Sequence, residues 1–383
     1  MSPRIATIIA GIPIENRSLF HRVRFSAGDP AAWMQFDLDG NVSSLFMVRD
    51  IECERARQHV KVDQVAAPID FSPSTGLSGD RATAVAQAVV ECLRQKRIEK
   101  VTTDRTLPFI FAWHIQQAGI PLSYSPELGV IDRRQKSAEE IELLRQAQQV
   151  TENAMQMALE TIGRATANSQ GQLEVAGVVL TSELIQAKIS AYLLEQGFAN
   201  PHGSIVASLP HSADCHARGS GPLVTGQAVI VDIFPQCEAS QYWGDCTRTV
   251  VHGDPSDEMV RMHAAVVEAK HNAIEQVVIG AKADDVHAAT KEVLEKHGYR
   301  FARGEISDLP IMPHGTGHGI GLEVHEPILL DDNGGTILAG EALTVEPGLY
   351  SRRYGGVRVE DMVVATDQGP LNLNKLPEGL CWS

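Results

Sequence analysis

Hydrophobic positions in the first third of the chain alternate between strand-like and helix-like spacing. Residues 31–48, AAWMQFDLDGNVSSLFMV, predict two strands joined by an Asp-Gly-Asn turn. Residues 79–97 carry apolar side chains at helical spacing, and residues 100–120 predict a strand followed by a helix. This order of elements predicts a small α/β domain without the glycine fingerprint of a phosphate-binding loop.

The hydrophobic pattern changes near residue 135. Ser137 is followed three residues later by Glu140, a capping-box signature at the start of a long amphipathic helix. We therefore predict an N-terminal α/β domain over residues 1–135 and a C-terminal domain over residues 136–383. Further helices of the C-terminal domain, separated by strand-like runs with many glycines, are predicted at residues 181–197, 257–280 and 284–298.

Two segments of the C-terminal domain share a short pattern. LVTGQAVIVD at 223–232 and LAGEALTVE at 338–346 both run from a glycine through apolar positions to a carboxylate six residues later. The pattern predicts two related half-domains whose matching strands end in Asp232 and Glu346. A coincidence between two similar buried strands is the alternative explanation.

Composition and charge narrow the class of protein. The 383 residues exceed the size at which one hydrophobic core usually stops growing, which agrees with two domains. The formal charge of −15 disfavours nucleic acid and anionic membranes as partners, because both require basic surface. Six cysteines without CxxC spacing favour free thiols in a reducing compartment. Pro13 and Glu15 interrupt the only run that resembles a signal peptide, so we expect a cytoplasmic protein.

Five candidate metal ligands lie in or beside strand-like runs of the C-terminal domain. In chain order they are Asp232, Asp245, His318, Glu346 and Glu360. Each alone is as readily explained as a turn, cap or surface residue. Buried together, four carboxylates would repel one another unless cations compensate them. Two divalent ions would balance the four charges, and this ligand set favours manganese, cobalt, iron or zinc.

In its motifs and their order, the chain resembles the pita-bread metallopeptidases, which include Xaa-Pro dipeptidases (prolidases), Xaa-Pro aminopeptidases and methionine aminopeptidases. The motifs are VDIF followed by GDCTRT, then HGTGHGIGLEVHE, VEPGLY and GVRVED, over about residues 136–365. The N-terminal third resembles the smaller domain of the two Xaa-Pro enzymes. The resemblance implies an α+β fold, with a C-terminal pita-bread (creatinase/aminopeptidase) domain and a smaller N-terminal α/β domain, and it implies a homodimer.

The resemblance also implies a role for each ligand. Asp232 would chelate one ion, His318 and Glu346 would hold the second, and Asp245 and Glu360 would bridge the two. The ions are expected to be Mn²⁺, with Co²⁺, Zn²⁺ or Fe²⁺ as alternatives. The resemblance further implies a bridging water between the ions, whose proton Glu346 would accept to yield the hydroxide nucleophile.

Four further residues are predicted to line the substrate pocket. His325 and His216 would donate hydrogen bonds to the carbonyl oxygen or the tetrahedral intermediate, with His211 as a register alternative to His216. His314 would contact substrate from the pocket wall or serve as a hydrogen-bonded core residue. Arg358, on the strand face of the last carboxylate, would orient a ligand or pair with an acidic neighbour.

The histidine–glycine stretch PHGTGHGIG, residues 313–321, is predicted as one extended strand. His314 and His318 would then share one face, while the glycines leave bare backbone for close packing on the other.

The implied function is hydrolysis of the Xaa-Pro bond of dipeptides or peptide N-termini, with the choice between them left open. The chain departs from the family pattern in three places. ASLPHSADCH (207–216) stands where a glycine-rich stretch is usual, Phe234-Pro235 replaces the usual sequence after the first ligand, and the 13 residues from Asp232 to Asp245 exceed the usual spacing by two. These departures keep open a metal-dependent hydrolase or lyase of a small non-peptide molecule, similar to ectoine hydrolases or sulfonium propionate lyases. A non-catalytic binding protein on this fold would be expected to lose ligands.

Overall fold

Two units make up the chain in a computed structural model that describes residues 3–382. The division falls between Arg133 and Arg134. Among the described residues, none of the helices combines the length and the apolar character needed to cross a membrane.

The N-terminal unit consists of one sheet with helices against both faces. Its strands are β1 (Ile5–Gly11), β2 (Ala31–Leu38), β3 (Asn41–Met47), β4 (Gln64–Ala66), β5 (Lys100–Thr103) and β6 (Leu122–Tyr124). Its helices are α1 (Arg17–Val23), α2 (Cys53–His59), α3 (Arg81–Gln95) and α4 (Phe109–Gln117), with 3₁₀ turns at Asp50–Glu52 and Pro68–Phe71. The short helix α5 (Ile131–Arg134) spans the point of division.

The sheet of this unit has the order β4-β3-β2-β1-β5-β6. β2 pairs antiparallel with β1 and β3, and the other pairs are parallel. Strand alternation explains the two layers of helices, because Ile8 packs in the core with α3 and α4 while Ile9 packs in the core with α1 and α2. Positive φ angles of 59° at Asp39 and 90° at Gly40 form the predicted turn between β2 and β3.

The C-terminal unit combines four further helices with short strands. The helices are α6 (Ala138–Gly163), α7 (Ser182–Glu195), α8 (Asp257–Glu275) and α9 (Ala283–Lys296), with a 3₁₀ turn at His211–Ala213. The strands are β7 (Thr166–Ala167), β8 (Leu173–Val175), β9 (Val178–Val179), β10 (Phe198–Ala199), β11 (Ile205–Ala207), β12 (Ala228–Ile233), β13 (Gln236–Cys237), β14 (Cys246–Val251), β15 (Arg300–Phe301), β16 (Ile311–Met312), β17 (Gly317–Gly319), β18 (Glu326–Leu330), β19 (Ala342–Val345), β20 (Gly348–Ser351), β21 (Gly355–Arg358), β22 (Asp361–Thr366) and β23 (Gly369–Asn372).

The long helix α6 begins where the capping signature predicts. The Ser137 hydroxyl accepts a hydrogen bond from the Glu140 backbone N–H, and the Glu140 carboxylate accepts one from the Ser137 backbone N–H at 2.8 Å. The apolar face of α6, including Met155 and Leu159, packs against Val229 of β12 in one core. Each such fully buried side chain contributes about 1.5–3 kcal/mol. The helix therefore fixes the strand that carries the first predicted ligand.

Two three-stranded arrangements in this unit correspond to the predicted half-domains. β12 lies between β11 and β14, and β19 lies between β17 and β22, with antiparallel pairing throughout. The glycines that open the two matching segments, Gly226 and Gly340, have similar left-handed φ angles of 77° and 74°. The topology supports a structural repeat over a coincidence of two short sequences.

The prediction of one extended strand over residues 313–321 is wrong. Only Gly317–Gly319 is a strand here, and it belongs to the sheet of β19 and β22. The preceding strand β16 pairs with β15 and β20 in a separate sheet. His314 therefore lies in the connection between two sheets and does not share a strand face with His318.

The glycines of this stretch nevertheless allow close backbone packing, as predicted. A Cβ atom on Gly317 would lie 1.9 Å from the Thr344 carbonyl oxygen, and one on Gly319 would lie 2.5 Å from the Pro327 carbonyl oxygen. Any side chain at these positions would force β17 away from its neighbours.

Candidate active site

Two antiparallel strand pairs position the four predicted carboxylates. Asp232 is the penultimate residue of β12, and Asp245 immediately precedes β14. Glu346 immediately follows β19, and Glu360 immediately precedes β22. In both pairs the last residue of the first strand is opposite the first residue of the second strand. Each pair therefore brings its two carboxylates to the same end.

These ends face one cavity of about 590 Å³, a size typical of small-ligand sites. The cavity walls include all nine residues predicted for the site, namely Asp232, Asp245, His318, Glu346, Glu360, His216, His314, His325 and Arg358. His211 is not among the lining residues, so the structure favours His216 in the register choice left open by the sequence.

The geometry of His318 leaves one ring nitrogen available. Its Nδ1 lies 3.0 Å from the Gly319 carbonyl oxygen, so this nitrogen carries the proton that it donates. Its Nε2 faces two carboxylates, 3.5 Å from Glu346 Oε1 and 3.8 Å from Asp245 Oδ2. Burial lowers the pKa of His318 to about 3, which keeps the imidazole neutral with a free lone pair on Nε2.

The carboxylates of the cavity repel one another. Burial, followed by the charges of Glu360, Asp232 and Glu346, raises the pKa of Asp245 well above its usual range. Burial and the charges of Glu346 and Asp232 do the same for the pKa of Glu360. The pKa of Glu346 rises to about 7, mainly through burial. Without compensating positive charge, this cluster would not remain fully ionised at neutral pH.

The donor atoms fit divalent cations. Asp245, His318 and Glu360 each offer a ligand atom, and these atoms lie within 4.8 Å of one another. Among the described residues, no donor reaches the buried oxygen Oδ1 of Asp232. A buried carboxylate oxygen without a hydrogen bond is costly unless a cation binds it. Four carboxylates and one imidazole suit hard or borderline ions such as manganese.

Arg358 orients two of these carboxylates. Its Nη2 donates to Asp232 Oδ2 at 2.6 Å, and its Nε donates to the Thr247 hydroxyl at 3.3 Å. Thr247 in turn donates to Glu360 Oε2 at 2.8 Å. Because Arg358 is buried with these partners, its guanidinium holds the carboxylates in place.

The three further histidines occupy different positions. His314 Nδ1 donates to the Gly315 carbonyl oxygen at 2.8 Å, so its Nε2 accepts a hydrogen bond from the Tyr350 hydroxyl at 3.0 Å. The hydroxyl oxygen accepts one from Arg358 Nη1 at 2.7 Å. Burial lowers the pKa of His314 to about 4, so this residue is a neutral part of the wall. The ring of His325 stands edge-on to His318 with 4.4 Å between ring centroids. His216 is exposed, with Nδ1 3.6 Å from the Cys215 sulfur.

Gln148 on α6 holds the main chain of Asp245 from behind. Its Nε2 donates to the Asp245 carbonyl oxygen at 2.6 Å, and its Oε1 accepts from the Asp245 N–H at 2.9 Å. The same Nε2 donates to Asn374 Oδ1, which accepts the Met362 N–H at 2.8 Å. The fully buried side-chain amide of Gln148 thus connects the main chain at Asp245 with the main chain near Glu360, and these two residues are the predicted bridging carboxylates.

Gln148→Glu should weaken Mn²⁺ binding about 10–100-fold, because groups that orient metal ligands typically contribute this much to affinity. The substitution keeps the shape of the side chain but replaces the donor with an oxygen facing the Asp245 carbonyl. Isothermal titration with Mn²⁺ measures the effect. Gln149→Glu is the matched control, since Gln149 is exposed on the same helix. Equal affinities of the two variants would contradict this role for Gln148.

Sequence reasoning missed Gln148, Thr247 and Tyr350. A signal existed for Thr247, since the three consecutive polar residues Thr247, Arg248 and Thr249 interrupt the strand-like run CTRTVV. Tyr350 lies within the VEPGLY motif, but the sequence does not indicate a role for it. Gln148 resembles any polar position of an amphipathic helix, and the sequence carries no signal of its burial.

Comparison with solved structures identifies the class of fold. The chain is 24% identical to the prolidase from Pyrococcus horikoshii, with a TM-score of 0.74 and coverage of 98% of this chain and 95% of that one. It is 23% identical to an X-Pro aminopeptidase from Thermotoga maritima, with a TM-score of 0.75 and coverage of 98% and 97%. These likenesses confirm the predicted two-domain pita-bread fold of the α+β class.

Sequence comparison then identifies the family. Residues 142–367, more than half of the chain, match metallopeptidase family M24. A Xaa-Pro dipeptidase from Pyrococcus furiosus is 26% identical over 362 residues, which cover 92% of this chain and 90% of that protein. The chain belongs to metallopeptidase family M24, a family of enzymes that use divalent metal ions.

Proposed function

We propose that this enzyme hydrolyses the bond between an N-terminal residue and proline, in dipeptides or at peptide N-termini. The observation that carries the proposal is the convergence of four carboxylates and one neutral histidine on a single cavity in an M24 chain. The similarity to a Xaa-Pro dipeptidase over nine-tenths of both chains supports proline as the second residue. Proline lacks an amide N–H and has a fixed φ angle, so its cleavage requires a dedicated pocket.

Five side chains would hold two divalent ions, for which we propose manganese. Asp232 would bind one ion, His318 and Glu346 the other, and Asp245 and Glu360 both. Ions in such a site lower the pKa of water towards neutrality and polarise the scissile carbonyl. Arg358 positions Asp232 directly and Glu360 through Thr247, so the ligands are held before the ions bind.

Glu346 is the proposed proton acceptor. Its side chain is 22% exposed, compared with 5% for Asp245 and 11% for Asp232, so it is the more accessible to substrate and water. After accepting a proton it would pass it to the departing proline nitrogen. His325 and His216 would donate hydrogen bonds to the substrate oxygen as negative charge develops. His314, held by Tyr350, would form the neutral wall beside them.

Purified protein stripped of metal should cleave Xaa-Pro dipeptides only after Mn²⁺ or Co²⁺ is restored. Free amino acids released from Ala-Pro and from Ala-Pro-Ala are measured in parallel, because cleavage of the tripeptide indicates an aminopeptidase and its resistance a dipeptidase. His318→Ala is the control variant and should bind less metal by elemental analysis.

The sequence departs from the family pattern in residues 207–216 and at Phe234, and the same assay tests the competing function that these departures keep open. Metal-loaded protein that leaves every Xaa-Pro peptide intact but hydrolyses a small amide would contradict the peptidase proposal. It would instead favour a metal-dependent enzyme of small non-peptide molecules.

We also propose that the enzyme works as a cytoplasmic homodimer. All six cysteines are free thiols, as expected in a reducing compartment. The dimer is proposed from the family resemblance, and light scattering on the metal-loaded protein tests it.

A further inference from the structure

Three consecutive residues between β11 and β12 present three different metal-binding groups. They are Asp214, Cys215 and His216, which follow the 3₁₀ turn at His211–Ala213. One ligand atom from each lies within 4.8 Å of those of the other two. Cys215 and His216 both line the active-site cavity. They belong to the segment 207–216, whose sequence departs from the family pattern.

The spacing of sulfur and nitrogen in this trio matches that of a zinc site. Cys215 Sγ lies 3.6 Å from His216 Nδ1. In tetrahedral zinc sites the Zn–S bond is about 2.3 Å and the Zn–N bond about 2.0–2.1 Å, which places the two ligand atoms roughly 3.5 Å apart. The thiol and the ring can therefore share one cation with little movement.

The main chain of the trio is held in place. Arg358 Nη1 donates a hydrogen bond to the Cys215 carbonyl oxygen at 3.1 Å. Asp214 Oδ1 accepts one from the His216 N–H at 2.9 Å. Both contacts hold the peptide group between Cys215 and His216, so the three ligand groups are already gathered before a cation binds.

We propose that Asp214, Cys215 and His216 form a second metal site, separate from the carboxylate cluster, that binds one divalent cation with an affinity for sulfur, such as Cd²⁺ or Zn²⁺. Thiolate ligands select soft cations, whereas the carboxylate cluster suits hard or borderline ones. On binding, the Cys215 S–H bond is replaced by a sulfur–metal bond and the proton passes to solvent. Three protein ligands leave the fourth position of the cation to water.

Occupation of this site has a consequence for catalysis that rests on the proposed function. A cation on Nδ1 fixes the ring of His216, which then no longer adjusts to donate to the substrate oxygen. Cd²⁺ is therefore an inhibitor of the manganese-loaded enzyme through the cavity wall, without displacement of the ions on the carboxylates.

Cadmium titration of the manganese-loaded protein tests the site. We expect ultraviolet absorption from thiolate-to-cadmium charge transfer that saturates at one equivalent. Cys215→Ser should lose this band, and Asp214→Asn should need more Cd²⁺ to reach it. Cys381→Ser removes an exposed thiol and is the matched control that should keep the band. Manganese content and far-ultraviolet circular dichroism, unchanged in each variant, establish that it is folded.

Inhibition is measured on the same samples. Cd²⁺ should inhibit the parent protein and Cys381→Ser, while Cys215→Ser should retain its activity at the same concentration. An equal absorption band in the parent and in Cys215→Ser would overturn the metal site. Loss of the band with unchanged inhibition would overturn the inhibitory role. Absorption requires no turnover, so failure of the peptidase assay would leave the test of the site intact.

Discussion

Glu346→Gln is expected to lower kcat about 10²–10⁴-fold, the usual contribution of a positioned proton acceptor. The carboxamide keeps one oxygen that can bind a cation, but it cannot accept a proton at neutral pH. Because the substitution leaves the proposed substrate contacts of His325 and His216 unchanged, KM should move little. Steady-state kinetics with an Xaa-Pro dipeptide at saturating Mn²⁺ measure both constants.

The metal content of this variant shows whether a lower kcat results from the lost proton acceptor or from lost metal. Elemental analysis of Glu346→Gln at saturating Mn²⁺ should give the parent stoichiometry, so that the lower kcat belongs to the fully loaded enzyme. Glu292→Gln, an exposed position on α9, is the control and should match the parent. A kcat within tenfold of the parent, or a loss that additional Mn²⁺ fully restores, would contradict the role of Glu346 as proton acceptor.

The four carboxylates could be recognised from sequence as candidate ligands because their signals are local. A buried strand that ends in a carboxylate is visible within ten residues, and the repeated glycine-to-carboxylate spacing marked Asp232 and Glu346 as equivalents. The structure adds that Asp245 and Glu360 are also equivalent, each immediately before the antiparallel partner strand. The short spacing along each strand pair indicates that its two carboxylates lie close together, whereas the resemblance to the metallopeptidases supplied the expectation that all four would meet.

The groups that hold these carboxylates could not be predicted, because they are distant in sequence. Gln148 lies 97 residues before Asp245, and Thr247 lies 113 residues before Glu360. Neither contact follows from a periodic pattern. The incorrect prediction of one strand over residues 313–321 has a related cause. Alternation predicts which side chains share a face, but it does not predict which sheet each part of the chain joins.

A buried charge network directly behind Glu360 gives the largest expected effect on stability. Asp361 accepts a hydrogen bond from Arg248 Nη2 at 2.9 Å and pairs with Lys270, which also pairs with Glu378. The side chains of Arg248, Lys270 and Asp361 are at most 3% exposed. Arg248 Nη1 also donates to the Glu360 carbonyl oxygen at 2.6 Å.

Asp361→Asn should destabilise the protein by about 3–5 kcal/mol, because removal of one partner leaves a buried positive charge uncompensated. In a unit of this size the change corresponds to a fall in Tm of roughly 6–20 °C. Calorimetric or circular-dichroism melting of the metal-loaded protein measures it. Asp367→Asn, exposed in the turn that follows the same strand, is the control and should change stability by at most roughly 0.5 kcal/mol.

The acid dependence of stability provides an independent test of the same network. Burial opposes ionisation of Asp361, but the charges of Arg248 and Lys270 prevail and lower its pKa to about 2, from an ordinary value of 3.8. Because the folded pKa is the lower one, the stabilisation is fully present above pH 3.8 and is lost as the pH falls through about 2. Asp361→Asn should therefore lose less stability than the parent over this interval. Parallel curves for the two proteins would mean that Asp361 is not ionised in the folded protein, and the strands beside Glu360 would then be held by hydrogen bonds rather than by charge.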